Sequence, residues 1–209
     1  MKSIFSILLV CVVALSAAAA PASPTASRRD AMIKRYTFKI SSGDDLLKAA
    51  EKGYIYAINS VTDVSLLQAT DKFGNNVFHL AKDAVTLQAL AAVARRLDEN
   101  YLTRLNSLRN QRNYMGETPL MYHVNMGKQG TWKSLYSGTR LQEAMLAANA
   151  VSDRGGALVK TADVRKGLVR QEASDDSGRT VAQAALANNM SDVVAFFQTN
   201  APYLFEQML

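Results

Sequence analysis

The residues able to do chemistry are few and scattered. His79 and His123 are the only histidines, far apart and without a cysteine near either. Zinc sites need three or four protein ligands, so two isolated histidines without cysteine do not predict one. Asp175-Asp176 could serve as a carboxylate pair for acid–base work. An aspartate three residues before a glycine more often bonds the backbone N–H groups of a turn, and that is the reading taken. Arg140, Glu143, Asp153, Lys160 and Asp163 fall within 127–171 in no recognisable catalytic arrangement. No Gly-x-Ser-x-Gly, P-loop or dinucleotide fingerprint is present. The expectation is a protein that is not an enzyme, with no catalytic residue, no metal and no cofactor.

The N-terminus reads as an export signal. Met1-Lys2 is positive, residues 4–15 are apolar, and small residues run from Ser16 to Ala22. The apolar run has the length of a signal-peptide core and is short for a membrane span. Cleavage fits after Ala20 or Ala22. Pro21 directly after a cut is unfavourable, so Ala22 is preferred. Cys11, the single cysteine, lies inside the apolar run and follows Leu9-Val10. It lacks the small residue that precedes a lipidated cysteine. The remaining chain then has no thiol and no disulfide, and packing alone must hold it. We divide the chain into a signal peptide at 1–22, a linker and N-terminal cover at 23–43, and a folded domain at 44–209. Export leads to the periplasm in a bacterium and to secretion otherwise. No integral membrane association remains once the signal is removed.

Periodicity within the domain is helical. Ser42 or Asp44 can cap a helix whose apolar face is Leu46, Leu47, Ala49 and Ala50, and Gly53 ends it. Ile55, Ala57, Ile58 and Val61 form a second helix. Residues 84–96 are amphipathic through Leu87, Leu90, Ala91 and Val93, and 98–108 add helical spacing at Tyr101, Leu102, Leu105 and Leu108. Further helices are expected at 139–150 and 161–171, with a break at Gly155-Gly156. Gly74, Gly116 and Gly178 are turn glycines, and two residues after each a helix opens, at Asn76, Thr118 and Thr180. Pro119 sits in the first helical turn, where its missing N–H costs nothing.

Gly116-Glu117-Thr118-Pro119-Leu120 resembles the start of an ankyrin repeat. Asn76-Val77-Phe78-His79 stands at the Thr-Pro-Leu-His positions of that family, with Ala81 at its alanine. Residues 175–197 are similar to a whole repeat: turn, Thr180, small residues Ala184 and Ala185, a loop at 188–190 and a second helix. In the middle copy Met121 replaces the histidine and His123 the alanine, so packing must differ there. The resemblance implies an all-α fold, an ankyrin-repeat solenoid of about four helix-pair repeats, or five. The stretch from Gly116 to Gly178 is about two periods of ~33 residues. One expanded repeat is preferred there to two degenerate ones. Tyr203, Leu204 and Phe205 would cover the end of the stack. The resemblance also implies structural histidines: His79 bonding around its turn, His123 packed at a helix interface.

Family resemblance makes non-catalytic binding of another protein the expected function, by a monomer. The contact residues implied are Lys72, Phe73 and Asn75 on one turn, Tyr114, Met115 and Glu117 on the next, and Ser177 and Arg179 on the last. Phe73, Tyr114 and Met115 are either exposed anchors or packing against the neighbouring turn. Trp132 is either an interface anchor or buried beneath the irregular stretch. Arg95, Arg96, Arg104, Arg109 and Arg112 are read as a solvated helix face, the alternative being a basic ridge. The net charge is +6, yet residues 172–209 carry five acidic residues and one basic, Arg179. Such a field could steer an acidic partner. Nucleic acid is not expected, since basic and aromatic residues are not interleaved. Two alternatives stand: a secreted effector or toxin-neutralising factor, by family analogy, and an enzyme with its site in 127–171.

Overall fold

The computed structural model describes residues 33–152 and 159–205, with side chains omitted at 150–152 and 159–163. The expected signal peptide with Cys11, the expected linker up to residue 32, Asp153, the expected Gly155-Gly156 break and residues 206–209 lie outside the described residues. The described chain is all-α, with no strand and only isolated bridges at Thr70–Asn76 and Ser174–Thr180. The helices are α1 at 33–37, α2 (Gly43–Lys52), α3 (Ile55–Asn59), α4 (Val77–Leu80), α5 (Ala84–Leu97), α6 (Tyr101–Asn110), α7 (Pro119–Asn125), α8 (Trp132–Tyr136), α9 (Arg140–Ser152), α10 (Val159–Ala173), α11 (Val181–Ala187) and α12 (Ser191–Asn200). Short 3₁₀ turns occupy Val64–Gln68 and Pro202–Leu204. No helix among them is long and apolar enough to cross a membrane.

Local sequence explains most helix starts. Ser42, Asn76, Thr118 and Thr180 each accept a backbone N–H from within the first turn and close a capping box. Asp83 caps α5 by accepting Thr86 N at 2.8 Å, without a capping box. Such caps are each worth about 1 kcal/mol. Gly53 ends α2 in the left-handed region, as its sequence position suggested. The 98–108 stretch is not a continuation of α5. Asp98 stops that helix by accepting Asn100 N at 2.8 Å, and α6 starts afresh at Tyr101.

The helices pack in two rows. The first row runs α2, α4, α7, α11, each against the next, and the second runs α3, α5, α8. In the second row α8 meets α12 through Trp132 and Phe196, whose rings are 5.0 Å apart. Within each layer the two helices pair: α2 with α3, α4 with α5, α7 with α8, α11 with α12. Buried Leu46, Phe78, Leu90, Leu120, Leu135 and Phe197 fill the seam between rows. Each is worth roughly 1.5–3 kcal/mol in transfer free energy. Between a second-row helix and the following turn lies extra structure: a 3₁₀ turn after α3, α6 after α5, and the α9–α10 hairpin after α8.

Three turns of one geometry precede α4, α7 and α11. In each, the first residue (Asp71, Asn113, Asp175) accepts two backbone N–H groups on one side-chain oxygen. Its own N–H donates to the carbonyl of the fifth residue. The turns are hydrogen-bonded to one another in constant register. Tyr114 N donates to Phe73 O at 3.0 Å, and Asp176 N to Met115 O at 3.2 Å. The second and third turns are therefore direct neighbours, and everything between them, α7 to α10, leaves and returns within a single layer step.

His123 stands where the neighbouring layers carry Ala81 and Ala185, and all three are buried. Space for the ring comes from α4, which ends at Leu80, whereas α7 and α11 each run seven residues. Lys82 N leaves the helix to donate to Ala50 O at 3.0 Å. Phe78 O thereby loses its partner within the helix. His123 Nε2 bonds it at 3.0 Å and His79 O at 2.9 Å, while Lys128 Nζ donates to Ala81 O at 2.9 Å. Asn188 does the equivalent one layer on, donating to Val124 O and Asn125 O.

Gly116 and Gly178 separate the two demands a turn glycine meets. Both hold positive φ. A Cβ on Gly116 would lie 2.7 Å from the backbone N of Asp176, but one on Gly178 would meet nothing within 4 Å. Gly178→Ala should cost about 1 kcal/mol, from backbone conformation alone. Gly116→Ala should cost roughly 3 kcal/mol or more, because the next turn must move as well. Chemical denaturation measures both, and equal losses would contradict the stacking of the turns.

Candidate functional site

The tips of the three turns form the most distinctive surface. Phe73, Tyr114 and Met115 are exposed at 56%, 78% and 67%, on two adjoining turns tied by a backbone hydrogen bond. One edge of the Tyr114 ring lies over Gly74, where a Cβ would come within 2.9 Å of Cδ1. The ring is thus seated on the neighbouring turn and still open to solvent. Lys72 is exposed, its Nζ 5.0 Å from the centre of the Phe73 ring. Ser177 and Arg179 are also exposed, with Ser177 Oγ donating to Asp175 Oδ1 at 2.6 Å.

Asn75 and Glu117, expected among the contact residues, are instead buried at 4% and 6% exposure. Their polar groups are spent on a side-chain relay. Asn75 Nδ2 donates to Asp71 Oδ2 at 3.0 Å, and Asn113 Nδ2 donates both to Asn75 Oδ1 and to Glu117 Oε2 at 2.9 Å. Asn125 Nδ2 completes it, donating to Glu117 Oε1 at 2.6 Å. The middle turn carries Asn113 where the others carry aspartate, and this relay is the reason. An aspartate there would set its carboxylate against that of Glu117 and could not donate.

Of the arginines, Arg95 and Arg96 are exposed, as a solvated face requires, while Arg104, Arg109 and Arg112 are half-buried. Arg96 donates to Val61 O, Arg109 to Ser137 O, and Arg104 pairs with Asp98. Arg112 reaches Gly116 O, Ser174 O and Gln171 O, holding the end of α10 to the second turn. Arg95 alone lies over a ring, that of Tyr101. Trp132 is buried, with Nε1 donating to Asp192 Oδ2 at 2.6 Å.

Both histidines are internal. His79 Nδ1 accepts from Asn76 N at 3.1 Å, which makes Nε2 the protonated nitrogen, and it donates to Glu117 O at 3.0 Å. His123 Nδ1 has no partner among the described residues. Burial pushes His79 down to about 4 from its ordinary value of 6.5. Burial, reinforced by Lys128, pushes His123 down to about 3. No group of three or more His, Cys, Asp or Glu able to hold a metal occurs among the described residues. Of the residues considered for an enzyme in 127–171, Arg140 and Glu143 border an open groove against α6.

No protein-family model matches this sequence, and no curated protein matches it.

Two tests follow from this geometry. Asn113→Asp should destabilise the fold by roughly 2–3 kcal/mol, through lost donors and like charge. Asn113→Asp with Glu117→Gln should recover most of that, since an amide at 117 can donate to the new carboxylate. Additive losses in the double-mutant cycle would show that the two side chains do not meet. The second test is pH. The unfolded chain protonates both imidazoles near 6.5, whereas the folded chain keeps them neutral to about 4 and 3. Their contribution is complete above 6.5 and is lost as pH falls towards those values, by several kcal/mol in all. A proton NMR titration should find neither ring charging above about pH 5. A midpoint near 6.5 for either would contradict its burial.

Proposed function

We propose that this chain is an exported protein with an ankyrin-type stack of helix pairs, and that it binds another protein non-catalytically through the turn tips. One observation carries the proposal. Two adjoining turns in hydrogen-bonded register present Phe73, Tyr114 and Met115 to solvent on a backbone fixed by buried side chains. Large apolar side chains on a rigid support lose little conformational freedom on binding and make good anchors. Lys72, Ser177 and Arg179 flank them as polar rim contacts. The 42-residue step from Asp71 to Asn113 and the 62-residue step from Asn113 to Asp175 support one expanded unit in the middle rather than two degenerate ones. In this reading α6 and the α9–α10 hairpin are insertions into a repeat plan. The sequence of residues 1–22 supports export, and the monomer is the working unit.

Capture from the native compartment, with the bound protein identified by mass spectrometry, supplies the partner. Phe73→Ala, Tyr114→Ala and Met115→Ala combined should weaken that complex about 100-fold, or about 3 kcal/mol. Circular dichroism should show an unchanged helix content. A partner held as tightly by the triple variant would place the binding surface elsewhere.

A further inference from the structure

The first helix is exposed along its whole length, residues 33–37. Ile33 and Tyr36 are 59% and 57% exposed, and at one helical turn apart they share a face. The Tyr36 ring rests on that of Tyr56 in α3, with centroids 4.6 Å apart, and Tyr56 is itself 63% exposed. Single apolar side chains are ordinary on a surface, whereas three gathered at one end of a domain call for a partner. A helix this short is not stable by itself. Phe38 ties it to the domain by packing on Tyr54, ring centroids 5.2 Å apart. Its hydrogen bonds are local: Thr37 Oγ1 donates to Ile33 O at 2.9 Å and Phe38 N to Lys34 O at 3.1 Å.

The same stretch is basic. Residues 28–39 carry five cations, Arg28, Arg29, Lys34, Arg35 and Lys39, against one acid, Asp30. Lys34, Arg35 and Lys39 are exposed, and none of the three forms an ion pair among the described residues. The adjoining elements do not cancel this excess. On α2, Lys48 and Lys52 stand against Asp44, Asp45 and Glu51. Of these acids, Asp45 accepts the hydroxyls of Ser41 and Ser42, and Glu51 pairs with Lys52 at 3.4 Å. After α3, Asp63 accepts Ser65 N at 2.9 Å.

We infer that the α1 end of the stack docks on the surface of an anionic lipid bilayer. Four to eight Lys and Arg clustered beside apolar side chains are what such a surface attracts, each cation adding about fivefold in affinity. Tyrosine is enriched where bilayer meets water, and Ile33 can enter the acyl boundary beside it. Charge complementarity alone would also admit an acidic protein or a nucleic acid. A protein partner gains most from anchors on a rigid support, and α1 lacks the buried polar ties that fix the turn tips. A fluid bilayer makes no such demand. Single-stranded nucleic acid is held by stacking of its bases on aromatic faces, to which Ile33 adds nothing. The inference does not rest on what the turn tips bind.

The test is co-sedimentation of the protein, purified from its native compartment, with vesicles of phosphatidylcholine alone and with vesicles one-third phosphatidylglycerol. Polyglutamate and a single-stranded oligothymidylate are the competing ligands. Binding to the anionic vesicles should be about tenfold tighter or more than to the neutral ones, and should weaken steeply with added salt. The variant Lys34→Gln, Arg35→Gln, Lys39→Gln should bind anionic vesicles about 100-fold more weakly. Ile33→Ser with Tyr36→Ser should lose about tenfold through the apolar part. Circular dichroism should show both variants folded, since the side chains removed are exposed. Each comparison is a difference between vesicles or between variants, so it reads this surface whether or not residues 1–22 remain on the chain. Any of four results overturns the inference: no binding to anionic vesicles, equal binding to both kinds, undiminished binding by either variant, or a preference for either polymer over the vesicles.

Discussion

Each layer of this protein leaves backbone carbonyls that only the next layer can satisfy. Buried carbonyls must be paired, and a short helix frees more of them than it uses. Here α4 has four residues and its C-terminal carbonyls point towards α7. His123 and Lys128 supply the donors, as Asn188 does for α7. The turns obey the same rule, each passing one N–H to a carbonyl of the turn before it. Layer order is thus enforced by polar groups that would be costly to leave unmade, in addition to apolar burial.

That constraint explains why so much of the polar sequence is internal. Asn75, Asn113 and Glu117 form a relay between adjoining turns. Several arginines are hydrogen-bonded to backbone carbonyls: Arg96 to Val61 O, Arg109 to Ser137 O and Arg112 to three. Arg112 is the clearest case. It bridges the second turn and the end of α10, and so closes the long excursion of α8–α10 back onto the layer it left. Phe73, Tyr114 and Met115 at the turn tips remain exposed.

Local signals were legible wherever a few consecutive residues settle the outcome. The turn glycines, the caps at Ser42, Asn76, Thr118 and Thr180, and the amphipathic α5 depend on neighbours within about four positions. The structural role of His79 was also legible, by resemblance. Less could be read where an outcome depends on another layer. The independent start of α6 and the short α8 were not distinguished, since neither carries a strong cap or a long apolar period. Asn75 and Glu117 look like surface residues beside a turn. Asn75 leaves solvent only when Asn113 arrives from the next turn, and Glu117 when Asn113 and Asn125 both close on its carboxylate.

By itself, the sequence determined an all-helical chain, the positions at which its turns must bend, and where most of its helices begin. Those are properties of backbone torsion and side-chain hydrogen bonding over a few residues. Tertiary structure alone decided how early α4 stops, why a histidine fits an alanine site, and which polar residues are structural. It also decided that 62 residues separate two turns that touch. Each of these turns on a donor and an acceptor that lie far apart in sequence and meet only when the layers stack.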